Sequence, residues 1–172
     1  MALTDKKKED RLATPLREVK SYLKENYNQT KGCKCPACGQ NVKLYKRKLN
    51  SSMAYAVIIM YRLQKNSSIP NQYFKMNEEI AKLKIPSSNI EYPKLYYWGL
   101  VEEKPKDTAN TKIKTSGYWR LTPLGVKFAL NEITVPKYVF VYNNHKEGVS
   151  DEWTTINKSL GDKFNYFELM NS

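Results

Sequence analysis

Apolar residues recur at helical spacing in some stretches of this chain and alternate at strand spacing in others, which predicts a mixed α+β fold. Thr14-Pro15 opens a helix expected to reach about Tyr27, with Leu16, Val19, Tyr22 and Leu23 on one face. Asn28 to Gln40 is a cysteine-bearing loop, and Val42 to Leu49 alternates in part, as a short strand or extended arm would. Ser51-Ser52 can cap the strongest helix, Met53 to about Lys65, where Met53, Ala56, Val57, Met60 and Leu63 form a broad core stripe. A short helix follows from Asn77, its N-cap, to Leu83. Ser88-Asn-Ile-Glu91 fits a capping box for a helix to Trp98, which Pro93 kinks or delays and Gly99 stops. Leu100 to Lys104 and Gly117 to Leu121 read as a two-stranded ribbon around a polar loop, Lys106 to Ser116. Pro123 to Asn131 is then a helix, Val135 to Tyr142 a strand, and Asp151 to Leu160 a terminal helix before an aromatic tail.

Helix, short helix, turn, helix, strand, loop, strand is the order of a winged helix-turn-helix. Trp98-Gly-Leu-Val together with Arg120-Leu-Thr-Pro-Leu-Gly resembles the wing and following helix start of MarR- and PadR-like DNA-binding regulators. The resemblance covers about residues 51–131. It implies a reader helix from Ser88 to Tyr97 that presents Ser87, Asn89, Lys94 and Tyr97, and a wing that offers Lys106, Thr111, Lys112 and Lys114 to phosphates. The reader segment has no Arg or Gln and carries Glu91, so Asn89 is its one good base-reading side chain. Backbone binding is therefore the better-supported mode. Tyr96, Trp98 and Trp119 are expected to pack between helix and ribbon.

Charge sharpens this picture. The formal net charge is +12, and the stretch from Asn26 to Asn77 holds 9 basic and 0 acidic side chains. Such an acid-free stretch points to a polyanion partner, with a merely soluble lysine-rich surface as the plain alternative. The run Tyr45-Lys-Arg-Lys, with Lys43 before it, can follow a phosphate backbone through Lys43, Lys46, Arg47 and Lys48. It can equally be a strand edge kept soluble by lysine.

Three cysteines lie within six residues, Cys33, Cys35 and Cys38, and Cys35-Pro-Ala-Cys38-Gly39 resembles half of a zinc ribbon. A structural Zn2+ would need two further ligands; Cys33 could be one, and His145, the single histidine, could close the site. A water or an acidic group is the alternative fourth ligand, and free thiols in a loop are the plain reading.

No phosphate-binding glycine loop is present, and nothing near His145 would orient it for nucleophilic catalysis, so the chain is expected not to be an enzyme. The start lacks an apolar leader and no apolar run is long enough to cross a bilayer, so the expected location is cytoplasmic, with no membrane partner. The whole pattern, through Val135-Pro-Lys-Tyr-Val-Phe-Val-Tyr-Asn-Asn144, resembles small, uncharacterised bacteriophage-encoded proteins. The expected organisation is an N-terminal helix, cysteine knuckle and basic arm over 1–50, a winged-helix core over 51–131, and a strand-helix extension over 132–172. The expected function is binding of DNA or another polyanion through phosphates, in a phage regulatory or replication-accessory role. The alternative is a protein-interaction module for a host or phage factor, suggested by Asp151, Trp153, Glu168 and Met170 in the acidic, aromatic C-terminal segment.

Overall fold

The computed structural model describes residues 15–27, 31–83, 90–105 and 116–171. The chain is mixed α+β with small sheets. In chain order the elements begin with α1 (Leu16–Asn26), β1 (Cys33–Lys34), β2 (Asn41–Val42), β3 (Tyr45–Lys48), α2 (Ser51–Asn66), β4 (Phe74–Lys75) and α3 (Met76–Lys82). A 3₁₀ helix (Tyr92–Trp98), β5 (Val101–Glu103), β6 (Tyr118–Leu121) and α4 (Pro123–Ala129) follow. Then come β7 (Val135–Pro136), β8 (Tyr138–Tyr142), β9 (His145–Val149), β10 (Trp153–Thr154), α5 (Ile156–Leu160), a 3₁₀ turn (Gly161–Lys163) and α6 (Tyr166–Asn171). Among the described residues, no helix is long and apolar enough to cross a membrane.

Two compact units divide the chain, Met1–Arg47 with Phe140–Gly148, and Lys48–Val139 with Val149–Ser172. In the smaller unit α1 starts at Pro15, whose fixed φ suits a helix entry, and ends at Tyr27. Val19 is buried but Leu16 is 66% exposed, so the apolar face of α1 is narrower than its spacing predicts.

The larger unit is built on α2. Every residue from Met53 to Met60 is buried, because the 3₁₀ helix, β6, α4, α5 and α6 surround this helix. Burial of each large apolar side chain contributes about 1.5–3 kcal/mol, so α2 carries much of the core. Its N-cap is Asn50 rather than the expected Ser51-Ser52: the Asn50 side chain accepts from the Met53 N–H at 2.9 Å, and Ser52 Oγ donates to it at 2.7 Å.

The ribbon is real and gains a third strand. β6 pairs antiparallel with β5 (Val101↔Leu121) and with β4 (Phe74↔Trp119), in the order β4-β6-β5. Asn77 does not cap α3, which already begins at Met76; its Oδ1 instead accepts from Tyr92 Oη at 2.9 Å. The helix expected to Trp98 is a short 3₁₀ helix that begins at Tyr92, with Pro93 in its first turn. Gly99, at φ 71°, ends it in the left-handed region. Thr122 caps α4 through the Gly125 N–H at 3.1 Å.

Beyond α4 the structure departs more from the sequence pattern. The strand expected over 135–142 is split at Lys137: β7 pairs with β10, whereas β8 joins the sheet ordered β3-β8-β9. Pro136 has no N–H to donate, and the backbone of Lys137 is used outside either strand, accepting from Leu49 N at 3.0 Å and donating to Glu152 O at 2.7 Å. The expected 151–160 helix shrinks to α5 because Trp153 and Thr154 pair with β7 first, and Thr155 caps what remains.

Candidate nucleic-acid interface and cysteine knuckle

In the smaller unit, β1 and β2 pair with Cys33 opposite Val42. The turn between them is closed by Cys35 N–H to Gln40 O and Gly39 N–H to Cys35 O, both 2.8 Å. Gly39 sits at φ 74°, which glycine alone adopts without strain. The turn aims donors at one sulfur. Burial pushes the Cys35 thiol up, yet hydrogen bonds from the backbone of Cys38, Ala37 and Gly39, and from the Cys38 side chain, hold it below the usual thiol value. Cys33 goes the other way, raised by burial and then by the charge of Cys35. Cys38 is exposed.

The structure thus brings Cys35 and Cys38 together, with Cys33 near enough to feel them. His145 stands exposed at the start of β9. Among the described residues, no three His, Cys, Asp or Glu side chains are gathered into a group able to hold a metal ion, so the four expected ligands are not assembled around one point.

The basic arm follows the knuckle directly. Its period of two puts Lys43, Tyr45 and Arg47 on one side and Lys46 and Lys48 on the other. Lys43 Nζ lies 5.2 Å and Arg47 Cζ 5.3 Å from the Tyr45 ring centroid, so the two cations flank an exposed ring. The arm is tied to the end of α1 by Leu44 N–H to Tyr27 O at 2.9 Å, and the Tyr27 ring rests on Tyr142 with centroids 4.1 Å apart. Lys46 and Lys48 are exposed, and Arg47 is half-buried.

In the larger unit, the ribbon and the 3₁₀ helix are held mainly by structural contacts. Arg120 pairs with Glu102 at 2.5 Å, donates to Asn71 O at 2.9 Å and covers the Tyr73 ring at 4.4 Å. Glu103, on the opposite face of β5, accepts from the backbone of Ser116 and Gly117 where the loop returns. Lys94 is paired with Glu91. Trp98 is buried and donates to Pro136 O at 2.6 Å, and Trp119 is buried edge-on to Tyr92. Tyr96 departs from the expected core role at 64% exposed. The expected contacts Asn89, Lys106, Lys112 and Lys114, with Ser87 and Thr111, lie outside the described residues.

The sequence pattern missed a basic concavity, a cleft of about 690 Å³ in the larger unit. Lys48, Lys137, Lys158 and Lys163 line it beside Asn50 and Ser51, at the start of α2. These lysines come from three segments far apart in sequence, so no local spacing links them. Trp153 gives no local signal either, since Asp151 and Glu152 precede it in the sequence.

No protein-family model, curated protein or solved structure matches this chain.

Proposed function

We propose that the protein binds nucleic acid through its phosphates, with the basic arm as principal contact and a winged-helix scaffold as its larger unit. One observation carries this reading: the 52 acid-free residues from Asn26 to Asn77 deliver Lys43, Lys46 and Arg47 onto a short arm whose tyrosine is exposed between two cations. A run of cations in a stretch of sequence without acidic residues favours a polyanion as partner. The order α2, α3, 3₁₀ helix and ribbon supports the winged-helix scaffold. The shortness of the 3₁₀ helix and the Lys94–Glu91 pair favour phosphate contact over base reading.

If about five lysines and arginines engage, log affinity for duplex DNA falls with log salt at a slope of roughly −4 to −5. Anisotropy titrations of labelled DNA at several salt concentrations measure that slope. Lys46→Glu with Arg47→Glu should remove most of the binding. A flat salt dependence, or binding that survives the charge reversal, sinks the proposal in favour of a protein-interaction module.

A zinc ion fits half of its expected site. The donor-lined Cys35 thiol and the neighbouring Cys38 suit two thiolate ligands, and Cys33 and His145 are the residues proposed to complete the set. Bound there, zinc would give the arm a fixed anchor. Purified protein should carry about one zinc per chain, and Cys35→Ser with Cys38→Ser should lose it. Elemental analysis that finds far less than one in the parent chain removes the metal from the proposal.

A further inference from the structure

The lysine cleft of the larger unit has a composition that selects its ligand. Four lysines line it against a single carboxylate, Asp162. Lys137 is committed to Glu152 at 2.9 Å, and Glu152 first, then Tyr138, holds its ammonium above the ordinary lysine value. Lys48, Lys158 and Lys163 have no ion pair among the described residues. Three ammonium groups converging on one concavity are favourable only when an anion shares it. The positive end of α2, a helix of 16 residues, adds to the same field.

One aromatic residue also lines the cleft. This residue, Trp153, is 57% exposed, while Trp98 and Trp119 are 6% and 8% exposed. The reason is local: β10 pairs with β7, turning Thr154 inward and its neighbour Trp153 outward. The cleft is also braced. Thr154 Oγ1 and Ser159 Oγ share a hydrogen bond of 3.0 Å, and Leu49 and Leu160 are fully buried beneath it. An exposed indole on a fixed strand, beside uncompensated ammonium groups, suits a ligand with a flat ring at one end and an anion at the other. A lone carboxylate makes the site a poor one for a divalent cation.

We propose that this cleft binds a nucleoside phosphate, with the phosphate among Lys48, Lys158 and Lys163 and the base stacked on Trp153. The ligand is either a free nucleotide or one unit of a single strand, since both present the same chemistry. The site does not depend on the basic arm being a DNA contact.

Trp153 is its own reporter. The full chain is titrated with adenosine 5′-monophosphate, adenosine, inorganic phosphate and a short oligothymidylate, following tryptophan fluorescence and, in parallel, calorimetry. Saturable quenching by the monophosphate, at least about tenfold stronger than by adenosine, is expected if lysines hold the phosphate. Trp153→Phe should abolish the quenching, and Lys158→Ala with Lys163→Ala should weaken binding at least about tenfold with an unchanged circular-dichroism melt. Lys48 belongs to both the arm and the cleft, so the Lys158→Ala, Lys163→Ala protein makes the separation: it should lose the monophosphate while keeping the parent's salt slope on duplex DNA. Binding of the oligonucleotide alone, with the same dependence on Trp153 and the lysines, supports the site and assigns it to a strand. Equal affinity for inorganic phosphate and the monophosphate overturns the proposal, because Trp153 would then contribute nothing. Binding indifferent to Lys158 and Lys163, or no binding of either nucleotide ligand, overturns it as well.

Discussion

A single missing side chain holds the larger unit together at its tightest point. A Cβ built on Gly125 would lie 2.0 Å from the carbonyl oxygen of Leu100 and 3.1 Å from the Leu121 side chain. The first of these is backbone and cannot turn aside, so α4 and the start of the ribbon would have to separate. Gly125 is not in a left-handed conformation, so the requirement is one of space. Gly125→Ala should therefore destabilise by about 1–3 kcal/mol, whereas alanine at an open helical site would add stability. The urea midpoint of the variant measures this, and an unchanged midpoint would mean that α4 yields freely. Gly32 is constrained twice, by φ 72° and by Lys43 Cβ and Val42 O, each 2.5 Å from where its Cβ would stand, so it fixes the entry to the knuckle that the arm follows.

At the scale of elements, legibility tracked how local the controlling physics is. The helix starting at Pro15, the ribbon strands and the helix start at Pro123 were readable because helix-start signals and alternation act over a few residues. The extent of burial on α2 was not, since spacing predicts one stripe and only tertiary packing closes the other sides. The β8–β9 hairpin interrupts the pattern after Tyr142. Asn143 and Asn144, at φ 46° and 63°, form the two-residue turn that asparagine tolerates, so His145 begins a strand. The split at Lys137 depends on partners at Leu49 and Glu152, which no window around Pro136 contains. The same limit applies to the sites. Lys43, Tyr45 and Arg47 announce a basic arm because they are contiguous, whereas Lys48, Lys137, Lys158 and Lys163 share a cleft that exists only after folding.

The stability of the larger unit as a whole should be unusually sensitive to alkali. Tyr55 is buried and stacked on Phe164 at 4.6 Å, Tyr92 is buried and donates to Asn77, and Tyr166 donates to Ala129 O at 2.9 Å. Burial is the first cause that raises each phenol above its ordinary value; Glu103 adds to it at Tyr92, Tyr61 and Glu132 add at Tyr166, and Arg62 opposes it at Tyr55. A phenol whose folded-state pKa is raised favours folding while it stays neutral. That contribution is fully present below the ordinary tyrosine value of about 10 and is lost as pH rises through the folded-state values. The raised ammonium groups of Lys75 and Lys137 act with the same sign, but both are exposed ion pairs and add little. Net negative charge also grows above the pI of about 9.5, as lysines lose protons and tyrosines ionise, so the contribution of these rings is isolated by comparing the parent with Tyr92→Phe. The urea midpoint should thus hold up to about pH 9.5 and fall steeply beyond it, and Tyr92→Phe should flatten the fall while lowering the plateau through the lost Asn77 bond. Phenolate absorbance supplies the check: part of it should appear only together with the loss of near-ultraviolet dichroism. If every tyrosine ionises near its ordinary value while the dichroism persists, these rings do not carry the alkaline transition.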